Sequence, residues 1–221
     1  MKNSFKNIYI LGAGSMAREV LEIYRDLNKA SAVSGFLEEN STRENQYIKE
    51  IPILNTSKKD ALINDNIFIG AIGSPKRKII IKKIKENGAK FDTLIHPSVL
   101  IGNDAKIHEG VIICAGSILT CNIEINSHSI INIGCTISHD VKIGEFATIA
   151  PGVNIGGNVT IGNNSWIGIG TKIIHGVRIG NNVFLGAGSV VVNDIPDNSL
   201  AYGVPAKVVR KLTKDDWDNL I

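Results

Sequence analysis

The chain has 221 residues, of which 43% are hydrophobic but only 5% aromatic, and its formal net charge is +3. This balance of charge argues against a dedicated nucleic-acid or membrane-surface protein, and no apolar run is long enough to cross a bilayer. The aliphatic side chains and 22 glycines favour a repetitive stack over a compact sandwich packed around aromatic residues.

Residues 1–94 predict a small α/β half-domain. Short strands are expected at 8–11, 31–37 and 67–73, and two helices at about 16–27 and 76–86. The turn after the first strand, Gly12-Ala-Gly-Ser-Met-Ala17, fits G-x-G-x-x-A, and Glu38 follows about twenty residues on. Because 94 residues are too few for both halves of a Rossmann fold, the segment favours binding of one nucleotide's phosphates or a sugar. An intact NAD site and a purely structural glycine turn remain alternatives.

Residues 95–199 repeat with a period of six. Every sixth residue from Ile95 to Val191 is Ile, Leu or Val, and a second ladder four residues later holds only small or β-branched residues. Six residues suit one short strand plus a corner, so three hexads predict an 18-residue triangular coil. Each coil buries its face only by stacking on the next, which predicts a β-solenoid of five to six coils.

The histidines suggest one candidate base. His139 and His175 both occupy the third position of their hexads and share one column, two coils apart. Neutral imidazole can accept a proton, and Asp140 beside His139 would orient the ring, so His139 is the predicted general base and His175 the alternative. An exposed His-Asp turn without function also fits the pattern. His96 is expected to be structural, and His108 and His128 solvated.

The period-six pattern over about residues 95–196 resembles the hexapeptide-repeat acyltransferases. Together with the Gly-Ala-Gly half-domain and the tail Tyr202-Gly-Val-Pro-Ala-Lys207, it resembles their sialic acid O-acetyltransferase and nucleotide-linked 4-amino-sugar N-acetyltransferase (bacillosamine, perosamine type) subfamily. The resemblance implies a Rossmann-like nucleotide-sugar-binding domain at 1–94 and an all-β left-handed parallel β-helix at 95–199. A C-terminal tail with a short helix is expected at 200–221.

The activity that the resemblance implies is transfer of acetyl from acetyl-CoA to the 4-amino group of a nucleotide-linked 4-amino-4,6-dideoxyhexose. The product would enter surface glycan or glycoprotein biosynthesis, and the enzyme would be a homotrimer with its site between neighbouring solenoids. O-acetylation of sialic acid or another sugar hydroxyl is the first alternative, and a non-catalytic solenoid the second. Direct transfer is expected, because no cysteine is expected near His139 in its column.

The resemblance also implies site residues, position by position. The catalytic pair is His139 and Asp140, with the Gly157 N–H as oxyanion donor. Acetyl-CoA would contact Thr148, Gly157, Ile169 and Ala187. The sugar nucleotide would contact Gly14, Ser15, Met16, Glu38, Glu39, Gly73, Ser74 and Arg77. Many relatives have Gly-His where this chain has Ser15-Met16, and His where it has Thr148.

The remaining charges and cysteines complete the expectations. Residues 1–94 hold 16 basic and 11 acidic side chains, which suits a diphosphate ligand. Lys207, Arg210 and Lys211 could meet the phosphates of coenzyme A or be solvated on a terminal helix. The three cysteines, Cys114, Cys121 and Cys135, lack C-x-x-C spacing. They predict buried small residues, no metal site and a reducing, cytoplasmic setting.

Overall fold

The computed structural model describes residues 7–39, 42–43, 46–56, 65–213 and 216. The chain divides into two compact units, Met1–Leu94 and Ile95–Ile221, which we call the N-terminal unit and the solenoid unit. The predicted fold class, an α/β region followed by a parallel β-helix, is confirmed.

The N-terminal unit is a six-stranded sheet with the strand order β3-β4-β2-β1-β5-β6. All neighbours pair in parallel except β3 and β4, which are antiparallel. The sequence analysis missed β3, β4 and β6, because two of these strands have only two residues and Pro52 interrupts the pattern of β4. The elements are β1 Asn7–Leu11, α1 Ser15–Asp26, a 3₁₀ helix Ala30–Ala32, β2 Val33–Glu38, β3 Tyr47–Ile48, β4 Ile51–Asn55, β5 Asn66–Gly70, α2 Arg77–Lys85 and β6 Lys90–Phe91.

The sequence of α1 explains where the helix lies. Its apolar residues recur at spacings of three and four, and Ala17, Val20, Leu21 and Tyr24 are all buried. The turn before the helix needs glycine at position 12, because its backbone has a φ of +100° and a Cβ there would lie 2.9 Å from Ile72 Cγ1. The turn therefore brings the N-terminus of α1 to the carboxyl edge of the sheet.

The solenoid unit contains seventeen two-residue strands, β7 to β23, one for each predicted hexad. They form three parallel sheets, which we call the first, second and third sheet. The first sheet contains β7 Leu94–Ile95, β10 Ile112–Ile113, β13 Ile130–Ile131, β16 Thr148–Ile149, β19 Trp166–Ile167 and β22 Phe184–Leu185. The second contains β8 Leu100–Ile101, β11 Ile118–Leu119, β14 Thr136–Ile137, β17 Asn154–Ile155, β20 Lys172–Ile173 and β23 Val190–Val191. The third contains β9 Lys106–Ile107, β12 Glu124–Ile125, β15 Lys142–Ile143, β18 Thr160–Ile161 and β21 Arg178–Ile179.

The core of the solenoid consists of the two ladders. From the second coil onwards the six-residue ladder is buried, and each fully buried Ile contributes about 1.5–3 kcal/mol of transfer free energy. The second ladder includes buried hydroxyls, and these are satisfied: Ser117 Oγ donates to the Asn132 carbonyl at 2.9 Å and Ser165 Oγ to the Gly180 carbonyl at 2.8 Å. Small polar residues therefore fit this ladder without an unpaired buried group.

The tail begins as a β-hairpin of β24 Ser199–Gly203 and β25 Ala206–Lys211. The interpretation of Lys207, Arg210 and Lys211 as part of a terminal helix is therefore wrong. The β-branched Val208 and Val209 suit an extended backbone, and pairing with β24 satisfies it. Of residues 214–221 the structure describes only Asp216, which is helical, so the rest of the predicted short helix lies outside the described residues.

Candidate active site

His139 lies at the corner between the second and third sheets, between β14 and β15. Its side chain is 52% exposed, so the ring can be reached from solvent. Residues 18 apart stack in one column at this corner, because each coil is 18 residues long. The backbone records this stacking: the Asn158 N–H donates to the His139 carbonyl at 2.9 Å, and the Asp140 N–H donates to the Cys121 carbonyl at 3.1 Å.

The predicted partner of the imidazole is in place. Asp140 Oδ2 lies 2.7 Å from His139 Nδ1, which leaves Nε2 as the nitrogen available to an acceptor substrate. Asp140 also accepts a hydrogen bond from Asn122 Nδ2 through its other oxygen. The hydrogen bonds from His139 and Asn122 hold the pKa of the Asp140 carboxyl below its usual value. The carboxylate therefore stays ionised and can orient the ring.

Gly157 lies directly over this ring on the next coil. A Cβ at position 157 would come within 2.5 Å of His139 Cε1 and 2.6 Å of Nε2, so any side chain would displace the imidazole. In the described part of the chain, the Gly157 N–H makes no hydrogen bond, whereas the N–H of Glu145 at the equivalent position of another hexad donates to Asn163. An unused backbone donor beside the base is what an oxyanion contact requires.

The structure corrects the expectation that no cysteine lies near His139 in its column. Cys121 occupies the same corner position one coil earlier, since 139 and 121 differ by one 18-residue coil. Its thiol is exposed, so the prediction of three buried cysteines is wrong for Cys121 and right for Cys114 and Cys135. The position is a corner site of the solenoid, whose side chain points away from the core ladders.

The alternative base, His175, lies two coils from His139, with Gly157 between them. Two coil spacings place it roughly 10 Å from His139, too far to share one proton-transfer step. Another expectation fails nearby: His128 is buried rather than solvated, and its ring stacks on Phe146 with centroids 5.1 Å apart. Among the described histidines, only His139 pairs with Asp140.

The residues expected at coenzyme A are divided among three places. Ile169 and Ala187 share the corner between the first and second sheets, where the Gly188 N–H donates to the Ile169 carbonyl at 2.7 Å. Gly157 lies at the other edge of the second sheet. Thr148 instead lies on β16 in the first sheet and is only 2% exposed, so it does not form one continuous surface with the other three residues.

A groove of about 380 Å³ runs over the second sheet, between those two edges. It begins at Ser138 and Gly156, the neighbours of His139 and Gly157, and contains Lys172 as its cation. An extended ligand in this groove could place its reactive end at the His139 corner. The groove is lined by Ile118, Thr120, Thr136, Ile137, Ser138, Asn154, Ile155, Gly156, Lys172, Ile173 and Ile174.

The tail cations differ in their availability. Arg210 donates from Nη2 to Asp216 Oδ1 at 2.6 Å and from Nη1 to Oδ2 at 2.8 Å, and this pair raises the pKa of Arg210. Lys207 and Lys211 lie on the exposed strand β25. A phosphate would therefore have to compete with Asp216 for Arg210. At Lys207 and Lys211 it would meet no such competitor among the described residues.

The N-terminal unit has its own cavity, of about 450 Å³, at the carboxyl edge of its sheet. Five of the eight residues predicted to hold the sugar nucleotide line it, and Ser15, Met16 and Ser74 do not. Ser74 instead accepts a hydrogen bond from the Lys76 N–H at 3.3 Å, within the turn before α2. The predicted residues that line the cavity are Gly14, Glu38, Glu39, Gly73 and Arg77.

The charges around this cavity are paired. Arg43 binds Glu38 through two nitrogens and reaches the Ala13 carbonyl at 3.4 Å, and Lys83 pairs with Glu39 at 2.9 Å. Arg77 is only 1% exposed, donates to the Gly73 carbonyl at 3.0 Å, and has its pKa lowered to about 9 by burial. A buried guanidinium of this kind is stabilised when an anionic ligand approaches, because the ligand offsets the lost hydration of the cation.

Sequence reasoning missed Arg43 and Lys76. Lys76 lines the cavity directly before α2, while Arg43 joins Glu38 to the turn before α1. Neither belongs to a recognisable motif, and only the three-dimensional pairing reveals Arg43.

The described residues hold neither a metal centre nor a membrane-spanning helix. Among the described residues, no group of three or more His, Cys, Asp or Glu side chains could hold a metal ion. No helix in the same residues is long and apolar enough to span a membrane.

Two protein families match the chain. The PglD N-terminal domain family matches residues 7–84, and the bacterial transferase hexapeptide (six repeats) family matches residues 158–193. No curated protein matches. The two matches fall in different units, one in the N-terminal unit and the other in the solenoid unit.

Several solved structures are similar over nearly the whole chain. A variant of perosamine N-acetyltransferase from Caulobacter crescentus, in complex with CoA and GDP-perosamine, is 29% identical with a TM-score of 0.87, covering 93% of this chain and 97% of that one. The acetyltransferase domain of PglB from Neisseria gonorrhoeae, in complex with acetyl coenzyme A, is 28% identical with a TM-score of 0.83, covering 92% and 99%. WeeI from Acinetobacter baumannii, at 24% identity, a TM-score of 0.84 and coverage of 92% and 99%, shares the fold.

Proposed function

Because this chain is a hexapeptide-repeat acetyltransferase with a PglD-type N-terminal domain, as its sequence predicts, we propose that it acetylates a nucleotide-linked 4-amino-4,6-dideoxyhexose on its 4-amino group. Acetyl-CoA is the donor, and the product serves surface glycan or glycoprotein biosynthesis. The observation that supports this most is the corner where the His139–Asp140 pair lies under the open N–H of Gly157.

His139 acts as the general base in this proposal. Its Nδ1–H is held by Asp140, so the lone pair of Nε2 faces the acceptor amine and takes a proton as nitrogen attacks the thioester carbonyl. The carbonyl oxygen becomes negative in the tetrahedral intermediate, where the Gly157 N–H can donate to it. Collapse of the intermediate releases the thiolate of coenzyme A, which takes up a proton.

Direct transfer requires that no enzyme group holds the acetyl. Cys121 is the one described thiol at this corner, so it is the nucleophile that a two-step route would use. We expect Cys121→Ala to keep its kcat, and the intact mass of the enzyme after incubation with acetyl-CoA alone to be unchanged. An added acetyl group of about 42 Da that disappears in Cys121→Ala would replace direct transfer with an acyl-enzyme route.

The N-terminal cavity supports a nucleoside diphosphate as the part of the acceptor that binds in this unit. The turn at Gly14 and the buried Arg77 suit phosphates, since glycine lets oxygens approach the backbone and the guanidinium is desolvated. Glu38 and Glu39 suit ribose or base hydrogens, because a carboxylate beside a phosphate would repel it. In the similar Caulobacter crescentus protein, the nucleotide sugar is GDP-perosamine.

A homotrimer also belongs to the proposal. Leu100, at 64% exposure, and Ile118 lie on the outer side of the second sheet, and Ile133, Ile169 and Ile174 are exposed along its edges. An apolar surface of this kind favours burial against another copy. Leu100→Glu should therefore lower the mass found by analytical ultracentrifugation and reduce turnover together. A monomeric wild-type protein with full turnover would contradict the trimer.

Acceptor choice is tested by thiol release from acetyl-CoA with purified protein. UDP-, GDP- and dTDP-linked 4-amino sugars are compared with free sialic acids, with mass detection of the acetylated product. The proposal expects release with at least one amino-sugar nucleotide and an N-acetyl product. Release with sialic acid alone would assign O-acetylation instead, and no binding of acetyl-CoA at millimolar concentration would favour a non-catalytic solenoid.

A further inference from the structure

The corner that holds His139 includes one more side chain, Asn122. It occupies the column position of Asp140 one coil earlier, and its Nδ2 donates to Asp140 Oδ1. Asp140 Oδ2 in turn lies 2.7 Å from His139 Nδ1. One carboxylate thus links two side chains, an amide on one oxygen and an imidazole on the other.

The need for a second contact on Asp140 follows from its surroundings. The carboxylate is exposed at the solenoid corner, and the backbone of Asp140 is in the left-handed region with a φ of +60°. With one hydrogen bond, an exposed carboxylate can rotate about its side-chain torsions and exchange the imidazole for water. A second hydrogen bond from a neighbouring coil fixes its rotation, so that Oδ2 stays on Nδ1.

The backbone explains why asparagine suits this position. Asn122 has a φ of +51°, in the left-handed region that Asn tolerates better than most residues with a side chain. Its amide is short enough to reach only the next coil, where Asp140 lies. The same contact, with the contribution of His139, keeps the pKa of the Asp140 carboxyl low.

We propose that Asn122 is a positioning residue for the acetyl transfer, which acts on His139 through Asp140. This role requires no contact between Asn122 and acetyl-CoA or the sugar. By holding Asp140, it keeps the Nδ1–H of His139 occupied and Nε2 pointed at the acceptor amine. This inference rests on the proposed role of His139 as base.

The test is Asn122→Gly, which removes the amide and keeps a residue suited to a positive φ. We expect kcat to fall about three- to tenfold, the worth of one net hydrogen bond, while the Kd values for acetyl-CoA and the nucleotide sugar stay unchanged. Asn182→Gly is the matched control: it has a φ of +53° and donates from Nδ2 to Asn198 Oδ1 at 3.0 Å, away from His139. It should keep the wild-type kcat.

A double-mutant cycle separates positioning from a general loss of structure. In an Asp140→Ala background, Asn122→Gly should cause no further fall in kcat, because the residue through which it acts is gone. Equal losses in both backgrounds, or an unchanged kcat for Asn122→Gly in the wild-type background, would overturn the inference. A wild-type protein without turnover on any amino-sugar nucleotide would instead overturn the proposed function.

Discussion

The solenoid unit and the N-terminal unit build their sites in opposite ways. In the solenoid, a fixed 18-residue coil brings Asn122, Asp140 and the neighbours of His139 into columns, so distance along the sequence predicts contact. In the N-terminal unit, the cavity collects Gly14, Glu38 and Arg77 from separate turns at the edge of a sheet, with no common period. The difference suggests that the chemistry of the reaction and the recognition of its acceptor can be disrupted independently.

The largest expected effect is at the base. His139→Ala removes the proton acceptor, so kcat should fall about 10²- to 10⁴-fold, while the affinities for acetyl-CoA and the nucleotide sugar remain. Steady-state kinetics with equilibrium binding measures both quantities. A His175→Ala variant is the control in the same column. A loss with His175→Ala and full turnover with His139→Ala would transfer the role of base to His175.

The next effect concerns Gly157. In Gly157→Ala the new Cβ would meet His139 Nε2 at 2.6 Å, so the imidazole must leave its place, and kcat should fall about 10²-fold. Gly162→Ala is the matched control, since its Cβ would meet the Asn181 nitrogen at 2.6 Å, away from His139. Both should lower Tm, but only Gly157→Ala should lower kcat. Equal kcat in the two variants would remove Gly157 from the site.

A smaller effect is expected in the N-terminal unit. Glu38→Gln removes the charge that Arg43 neutralises, and should raise the KM for the nucleotide sugar about tenfold, leaving kcat and the KM for acetyl-CoA unchanged. Glu22→Gln, an exposed carboxylate on α1 paired with Arg25 and Lys49, serves as control. A change in the KM for acetyl-CoA would show that Glu38 belongs to the donor site instead.

The smallest effect is on stability. The pKa of Asp140 is held below its usual value, so its ionised form stabilises the folded chain above about pH 4, and this contribution is lost as pH falls through the lowered pKa. Asp140→Asn should therefore have a lower Tm than wild type near neutral pH and an equal Tm in strong acid. Thermal melts at several pH values test this. A Tm difference that grows towards acid pH would contradict the assigned direction.

The sequence predicts the solenoid unit better than the N-terminal unit. The Ile ladder fixes which residues face the core and which stack in columns, so the place of Gly157 one coil beyond His139 follows from their spacing of 18 residues, whereas its role as a donor was implied by the family resemblance. The same arithmetic also places Cys121 one coil before His139 in its column, which the sequence analysis overlooked. Asn122 could have been found in the same way, because it is 18 residues before Asp140.

The N-terminal unit depends on contacts that no local pattern encodes. Its first turn and helices are visible in the sequence, because glycine spacing and apolar periodicity are local signals. The strand with Pro52 and the ion pair between Arg43 and Glu38 depend on how distant segments meet.

In the solenoid unit, the burial of Thr148 could not be predicted from the sequence either, since its hexad position alone does not show what packs against the first sheet.

The division of labour between the two units is tested most directly by steady-state kinetics on two variants side by side. His139→Ala and Glu38→Gln are assayed with acetyl-CoA and the amino-sugar nucleotide that the wild-type protein accepts. The account predicts that His139→Ala loses kcat with little change in the affinity for the nucleotide sugar. It also predicts that Glu38→Gln raises the KM for the nucleotide sugar and keeps kcat. The reverse pattern, with kcat lost in Glu38→Gln and retained in His139→Ala, would contradict it.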